Sequence, residues 1–439
     1  MANKRILYAT KKVGIGTVGS AGGSSSAKGS FTQMHGIQSV GITTTFNLEQ
    51  TFELGQLSIY ENIEGIPDIS IDVEKVLDGY CPVYVMATSR NGSTTTGVDG
   101  KATAATLIGR SKAQCDFCLS IYKDTAEIAT NTAAGGASDA AETDVMMSGV
   151  FVNSVSYNVG IEGYATETVN LVGENKIWHN HSTAAGTVGG RHKRPKWAAA
   201  DFISGEESPL ALTQGSGGVN RREDVIFDYP ERTGTDARGT QAPGGFDVNG
   251  AVSGLGTILP RQLPGISTSG TNDRWNSTGG AHIQSFSCST DFGREDIFEL
   301  GKKGRFHRFV PFPTEVTSEI TIISQSGDLI SATEAGVVDK ANQANLNNES
   351  IRLQLREGLI VDLGTKNKLS NVSVTGGDAG GGNEEITYSY SNFNNFTVYH
   401  PQDPLFLESG DAGYQGDLFT PIDGRGGEVG HENSKYRNI

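Results

Sequence analysis

Four groups of residues have types and spacings that chemistry uses. Gly14, Gly16 and Gly19 spell GxGxxG, the pattern whose backbone amides cradle a pyrophosphate between a strand and a helix N-terminus. Cys115 and Cys118 form CxxC, which exchanges thiol and disulfide where it opens a helix. His179, His181 and His192, with Glu174, offer imidazole and carboxylate ligands to a zinc-like ion. Two acidic pairs, Glu49 with Glu295 and Glu53 with Glu299, would suit general acid–base work.

The elements needed to position these groups are missing from the sequence around them. The glycine pattern runs into Ser20 Ala21 Gly22 Gly23 Ser24, with no apolar helical stripe to carry a phosphate site. The CxxC lies in an alternating run, Cys115, Phe117, Leu119 and Ile121, which reads as a strand and sends positions i and i+3 to opposite faces. No Cys or Asp stands at a spacing that completes a metal site with the histidines, and no nucleophile, His partner or oxyanion loop accompanies the carboxylates. The expectation is therefore a non-enzyme with no catalytic, cofactor-binding or metal residues. A basic cluster, Arg294, Lys302, Lys303, Arg305 and Arg308, reads as a docking face for an acidic neighbour rather than for nucleic acid.

One stretch organises the chain because it occurs twice. Ile37 to Pro67 and Ile283 to Pro313 align without a gap at an offset of 246 and share 11 of 31 positions. Phe46, Glu49, Phe52, Glu53, Leu54 and Gly55 match Phe292, Glu295, Phe298, Glu299, Leu300 and Gly301, and these are the candidate interface residues. Further on, Asn153 Ser154 Val155 Ser156 resembles Ser370 Asn371 Val372 Ser373.

Composition agrees with a chain built from strands and turns. Hydrophobic residues make up 36% of 439 residues, and there are 58 glycines. Val40–Phe46 and Phe52–Tyr60 read as strands around polar 47–50; Ile69, Ile71 and Val73 alternate; and Val150–Val159 with Thr166–Val172 read as a hairpin about Glu162 and Gly163. Pro82 argues against a helix running through 76–89, and Ala102–Ile108 is the best short-helix candidate. The expected organisation is an N-terminal arm (1–35), a first domain (36–175), a connector (176–275), a second domain (276–400) and a C-terminal tail (401–439). A net charge of −15 disfavours attraction to phosphate. Four cysteines do not make a disulfide scaffold, and no apolar window reaches the length of a membrane span.

Three segments carry a resemblance: Phe52 to Gly79, Ser148 to Asn175, and His282 to Gly301 leading into Pro311–Thr317. They resemble the tail tube (major tail) proteins of tailed bacteriophages, over about half the chain. The resemblance implies a mainly β fold of two tandem tube-like domains, each of two packed antiparallel sheets with a short helix and a protruding hairpin. It implies a structural virion protein, assembled in the host cytoplasm, whose rings stack into the tail tube for DNA ejection. Rings of that family hold six copies of the fold, so two copies per chain imply a homotrimeric ring. The implied partners are further copies of the chain and other tail proteins, a sheath among the candidates, with DNA passing through the lumen unbound and no membrane. Other readings are a sheath, decoration or tail terminator protein, or an extracellular β-sandwich binding protein. Two physical arguments favour a ring: pairing edge strands around it removes them, and head-to-tail contacts close into rings or run on as filaments.

Overall fold

The computed structural model describes residues 11–16, 18, 30–55, 57–88, 105–122, 141, 143–180, 196–197, 219–225, 257–260, 262–264, 282–302, 304–323, 327–328, 330, 346, 348–355, 359–376 and 383–400. Period-2 runs of β-branched and aromatic residues make it mainly β. In chain order the elements are β1 (Lys11–Gly16), β2 (Ser30–Gln33), β3 (Ile37–Thr45), β4 (Leu48–Phe52), β5 (Ile59–Glu64), β6 (Asp68–Val76), α1 (Val83–Ala87), α2 (Leu107–Arg110), β7 (Cys115–Ile121), β8 (Thr143–Gly160), β9 (Thr166–Gly173) and β10 (Lys176–Asn180). There follow β11 (Lys196–Trp197), a 3-10 turn (Arg222–Asp224), β12 (His282–Asp291), β13 (Glu295–Phe298), β14 (Arg305–Phe309), β15 (Glu315–Ile323), β16 (Arg352–Gln354), β17 (Ile360–Asp362), β18 (Lys368–Thr375), β19 (Glu385–Phe393) and β20 (Thr397–Tyr399).

Eight strands form a continuous antiparallel sheet in the order β3, β6, β9, β8, β12, β15, β19, β18. The strand β8, 18 residues long, belongs to two sheets. Its first half pairs with β7 and β10, and β7 continues through β1 and β2 to β11. A shorter set, β16–β17–β20, forms a separate three-stranded sheet. Apolar side chains on the inner faces merge into one core, with Ile69, Ile71, Val73, Val155, Tyr157, Phe286, Ile320 and Tyr388 all buried.

The sequence repeat is also a repeat of hydrogen-bond ladders. In β3–β6, Ile37 faces Lys75 and Ser39 faces Glu74 across a bulge at Gln38; in β12–β15, Ile283 faces Ile322 and Ser285 faces Thr321 across the same bulge at Gln284. Each bulge glutamine donates from Nε2 to the carbonyl two residues before it, Gly36 or His282. Likewise β8–β9 and β18–β19 are both irregular between Val152/Ser154 and Leu369/Asn371. The pairs β8–β10 and β17–β20 match as well, Asp144 facing His179 where Val361 faces Val398.

Several expectations shift. The first hairpin does not fold Val40–Phe46 onto Phe52–Tyr60: β3 pairs with β6 to bury its apolar face, while β4 folds onto β5. Asn47 marks the branch point, its Nδ2 donating to Ile66 O and Asp68 while its carbonyl accepts from Gly65 N. The segment read as an arm contributes β1 and β2, and Val13 and Ile15 are buried against β7. The segment read as a connector contributes β10 to the first repeat, and Ile258 pairs with Arg352 of the second. Pro82 precedes α1, and the second helix is Leu107–Arg110, capped by Thr106 accepting from Gly109 N. The tail from 401 lies outside the described residues.

Candidate functional site

Among the described residues the groups suited to chemistry do not converge. Gly14 and Gly16 lie inside β1, opposite Cys118 and Asp116, and Gly19 is outside the described residues. Cys115 packs in the main core while Cys118 faces Phe31 and Met146 on the other side of β7. Burial pushes both thiols up, reinforced by Asp116 and Asp144 respectively, which leaves them protonated and poor nucleophiles. His181 and His192 fall outside the described residues, and Glu174 is 3.6 Å from Arg305. Among the described residues no three His, Cys, Asp or Glu gather to hold a metal.

A buried carboxylate that sequence reasoning missed, Glu167 on β9, does structural work. It accepts from the amides of Val83 (2.6 Å) and Tyr84 (3.1 Å) and from the Tyr157 hydroxyl (2.9 Å), so it caps the N-terminus of α1, whose Pro82 has no capping side chain. Burial raises its pKa, and the α1 amides, Tyr157 and Lys75 partly offset that. Its only signal in the sequence is an acidic residue at an inward position of an alternating strand.

The features that single out a surface are strand edges and hairpins. Inside the chain β12 lies against β8, with Phe286 opposite Val159, Cys288 opposite Tyr157 and Thr290 opposite Val155. At the ends of the eight-strand sheet stand β3 and β18, the ladder equivalents of β12 and β8, with no further strand among the described residues. The difference in cover is direct: Phe286, Cys288, Thr290 and Phe292 are buried, whereas Val40, Ile42 and Thr44 are half-buried and Phe46 is 68% exposed.

The hairpins β4–β5 and β13–β14 also share one register. Glu49 faces Ile63, Phe52 faces Ile59, and a bulge lies between Thr51 and Phe52; Glu295 faces Phe309, Phe298 faces Arg305, and a bulge lies between Ile297 and Phe298. Phe52, Glu53, Leu54 and Gly55 pass from strand to turn as Phe298, Glu299, Leu300 and Gly301 do. Gly55 and Gly301 take φ +95° and +83°. Leu54 and Leu300 have fully exposed side chains, and Phe52 and Phe298 are exposed too. Glu299 pairs with Lys302 on the surface. Glu49 and Glu295 are exposed on separate hairpins, so the acidic pairs share no site.

Within the basic cluster, Arg305 and Arg308 find acidic neighbours in the same chain, and Lys303 lies outside the described residues. Arg305 and Arg308 both bind Asp68, at the start of β6, and both bind Asp296 of their own hairpin, at 2.6 Å and 2.8 Å for the Nε atoms. Arg294 is nearly buried, donates to the carbonyls of Val152 and Ser111 and lies over the Phe151 ring. Desolvation lowers its pKa to about 9. His307 meets Phe151 edge to face, 5.4 Å between centroids. These residues weld the second repeat to the first.

No protein-family model matches the chain, and no curated protein matches its sequence. Among solved structures, similarity is found to the sheath–tube complex of an extracellular contractile injection system, PVC, in its extended state (10% identity, TM-score 0.25, covering 41% of this chain and 94% of that one). The tube-terminating cap of the anti-feeding prophage is similar over the same shares, at 9% identity and a TM-score of 0.27. Likeness at this level is too slight to bear on function, which has to be read from the strand ladders and edges.

Proposed function

We propose that this chain is a structural tail-tube-type protein that polymerises head to tail into rings, and that the rings stack into a hollow tube conducting DNA. The observation that carries the reading is the sheet with two unlike, complementary edges: β3 and β18 repeat the strands that β12 and β8 already join inside the chain. Such an interface is heterologous, so it closes into a ring or continues as a filament. An open, half-buried edge left unpaired would be an aggregation hazard, and ring closure removes it.

In this reading each chain carries two tube-like domains, 36–180 with β1 and β2, and 276–400. Three chains close a ring of six copies, the count that the resemblance to phage tube proteins implies. The apolar hairpin turns, Phe52–Gly55 and Phe298–Gly301, meet the neighbouring ring, since exposed apolar patches of this kind mark contact surfaces. Net acidity suits a lumen that lets DNA slide, because phosphate is held by fixed cations. Negative-stain electron microscopy of the purified protein tests the proposal. Hollow tubes with a regular ring repeat are expected, and a protein that stays monomeric at all concentrations would overturn it.

A further inference from the structure

We propose that β18 of one chain joins β3 of a second copy in the register that joins β8 to β12 within the chain, and that the contact between chains is sealed by Glu61 on Lys368 and by Ile59 on Phe393. The proposal rests on the ring reading above and adds to it a residue-level seam.

The register follows from the ladders. In the internal seam Asp291, Thr290, Ser289, Cys288 and Ser287 stand opposite Ser154, Val155, Ser156, Tyr157 and Asn158. The bulges and pairings common to the two repeats make Thr45, Thr44, Thr43, Ile42 and Gly41 the equivalents on β3, and Asn371, Val372, Ser373, Val374 and Thr375 the equivalents on β18. Thr43 of one copy then stands opposite Ser373 of the next. Phe292 N donates to Asn153 O at the bulge of β8; Phe46 N would donate to Ser370 O, which sits at the matching bulge of β18. The half-exposed Val372 and exposed Val374 become covered as Val155 and Tyr157 are.

The side chains that flank this ladder have changed in matched pairs. Within the chain His307 meets Phe151; their equivalents are Glu61 and Lys368, both exposed and of opposite charge. Arg305 meets Glu174; their equivalents are Ile59 and Phe393, 42% and 57% exposed, which make an apolar pair instead of an ionic one. Arg308 binds Asp68; the equivalents Asn62 and Glu315 retain a donor facing a carboxylate. An edge without a partner has no reason to exchange both members of each pair together. Complementary exchange on both sides commits the edge to a second copy of this chain.

The test uses Thr43→Cys with Ser373→Cys in the full chain, which is feasible because the four native cysteines are buried. Directly opposed antiparallel residues bring Cα atoms to about 4.5–5.5 Å, within disulfide range. Mild oxidation should give covalent oligomers of the chain, while Thr43→Cys with Asn371→Cys, one step out of register on the same face, should give at least tenfold fewer. Glu61→Lys and Lys368→Glu, both at exposed positions, should each raise the concentration needed for assembly by about fivefold, the upper range for an exposed ion pair. The double exchange should restore it. Tubes that form without the in-register cross-link, or that ignore the charge exchange, would sink the seam and leave the tube standing. Absence of any assembly by the unaltered chain would end both.

Discussion

Phe46 and Phe292 follow equivalent strands one repeat apart, yet the first is 68% exposed and the second 2%. Phe292 is covered because β8 lies beside its strand and Tyr84 packs at 6.3 Å. Phe46 follows β3, which has no second neighbouring strand among the described residues. The same contrast runs through the pairs behind them: Arg294, His307, Arg305 and Arg308 are tied to the first repeat, whereas Leu48, Glu61, Ile59 and Asn62 face outward. One ladder is thus finished in two ways. The internal seam uses buried guanidinium groups on carboxylates and carbonyls. The external edge carries apolar and singly charged groups that a monomer leaves in water, an arrangement suited to a contact formed after folding.

Truncating the two phenylalanines should have very unequal effects. Phe292→Ala should cost about 3–5 kcal/mol, the usual loss for a buried aromatic. Phe46→Ala should stay within about 0.5 kcal/mol of the unaltered monomer, as surface changes do, while weakening assembly. Urea melts under conditions that keep the protein monomeric measure both, and equal losses would show that the two positions are not differently covered.

A second contrast lies inside the sheet, where Lys75 stands opposite Glu167 and, at the equivalent place, Ile322 stands opposite Ile386. All four are buried, so the first repeat keeps polar groups where the second uses plain packing. Lys75 donates to Asp78 and His35 O, and Glu167 caps α1. Glu167→Ala should therefore cost about 3 kcal/mol, since it strands two helix amides and a buried tyrosine. Its pH signature is fixed by sign. Burial holds the folded pKa above the unfolded value, so this carboxyl's contribution is fullest below about pH 4.5 and declines as pH rises through the folded pKa. Glu167→Gln should flatten that part of the melting-temperature profile, and an unchanged slope would assign it to other groups.

The repeat was legible in sequence where local geometry demands particular residues. Phe52–Gly55 and Phe298–Gly301 match because each turn needs a glycine at positive φ after an apolar strand end. Val155–Ser156 and Val372–Ser373 match just past a bulge in the same ladder. The seam was not legible. Asp68 and Arg308 meet across 240 positions, and no local pattern records which distant strand will lie alongside. Gly14 and Gly16 misled for the same reason: a Gly-rich run looks too poor to order itself, but β7 supplies the partner that buries Val13 and Ile15. Glu167 was hidden because an inward acidic residue in a strand reads as a surface position until the helix it caps is placed.

The charged weld gives an intermediate test. Arg305 is 3% exposed and binds Asp68, Asp296 and Glu174, but Asp68 is 47% exposed and solvent screens it. Arg305→Ala should therefore cost about 1–2 kcal/mol, and less at high salt. Ile59→Ala, at the equivalent position, should leave the monomer unchanged and lower assembly alone. Loss of monomer stability in both would mean that the first hairpin is braced within its own chain.

The smallest effect should be the same in both repeats. Gly55 and Gly301 have positive φ, and a Cβ added to either would meet nothing within 4 Å. Alanine at either site thus pays for backbone conformation alone, about 1 kcal/mol. Global unfolding would hide so local a cost, whereas amide exchange along β4–β5 and β13–β14 reports opening of each hairpin directly. Equal acceleration, about fivefold in each, is expected. A much larger effect at Gly301 than at Gly55 would show that the Asp296–Arg305–Arg308 network reaches the turn, and that the weld of the second repeat extends beyond the base of its hairpin.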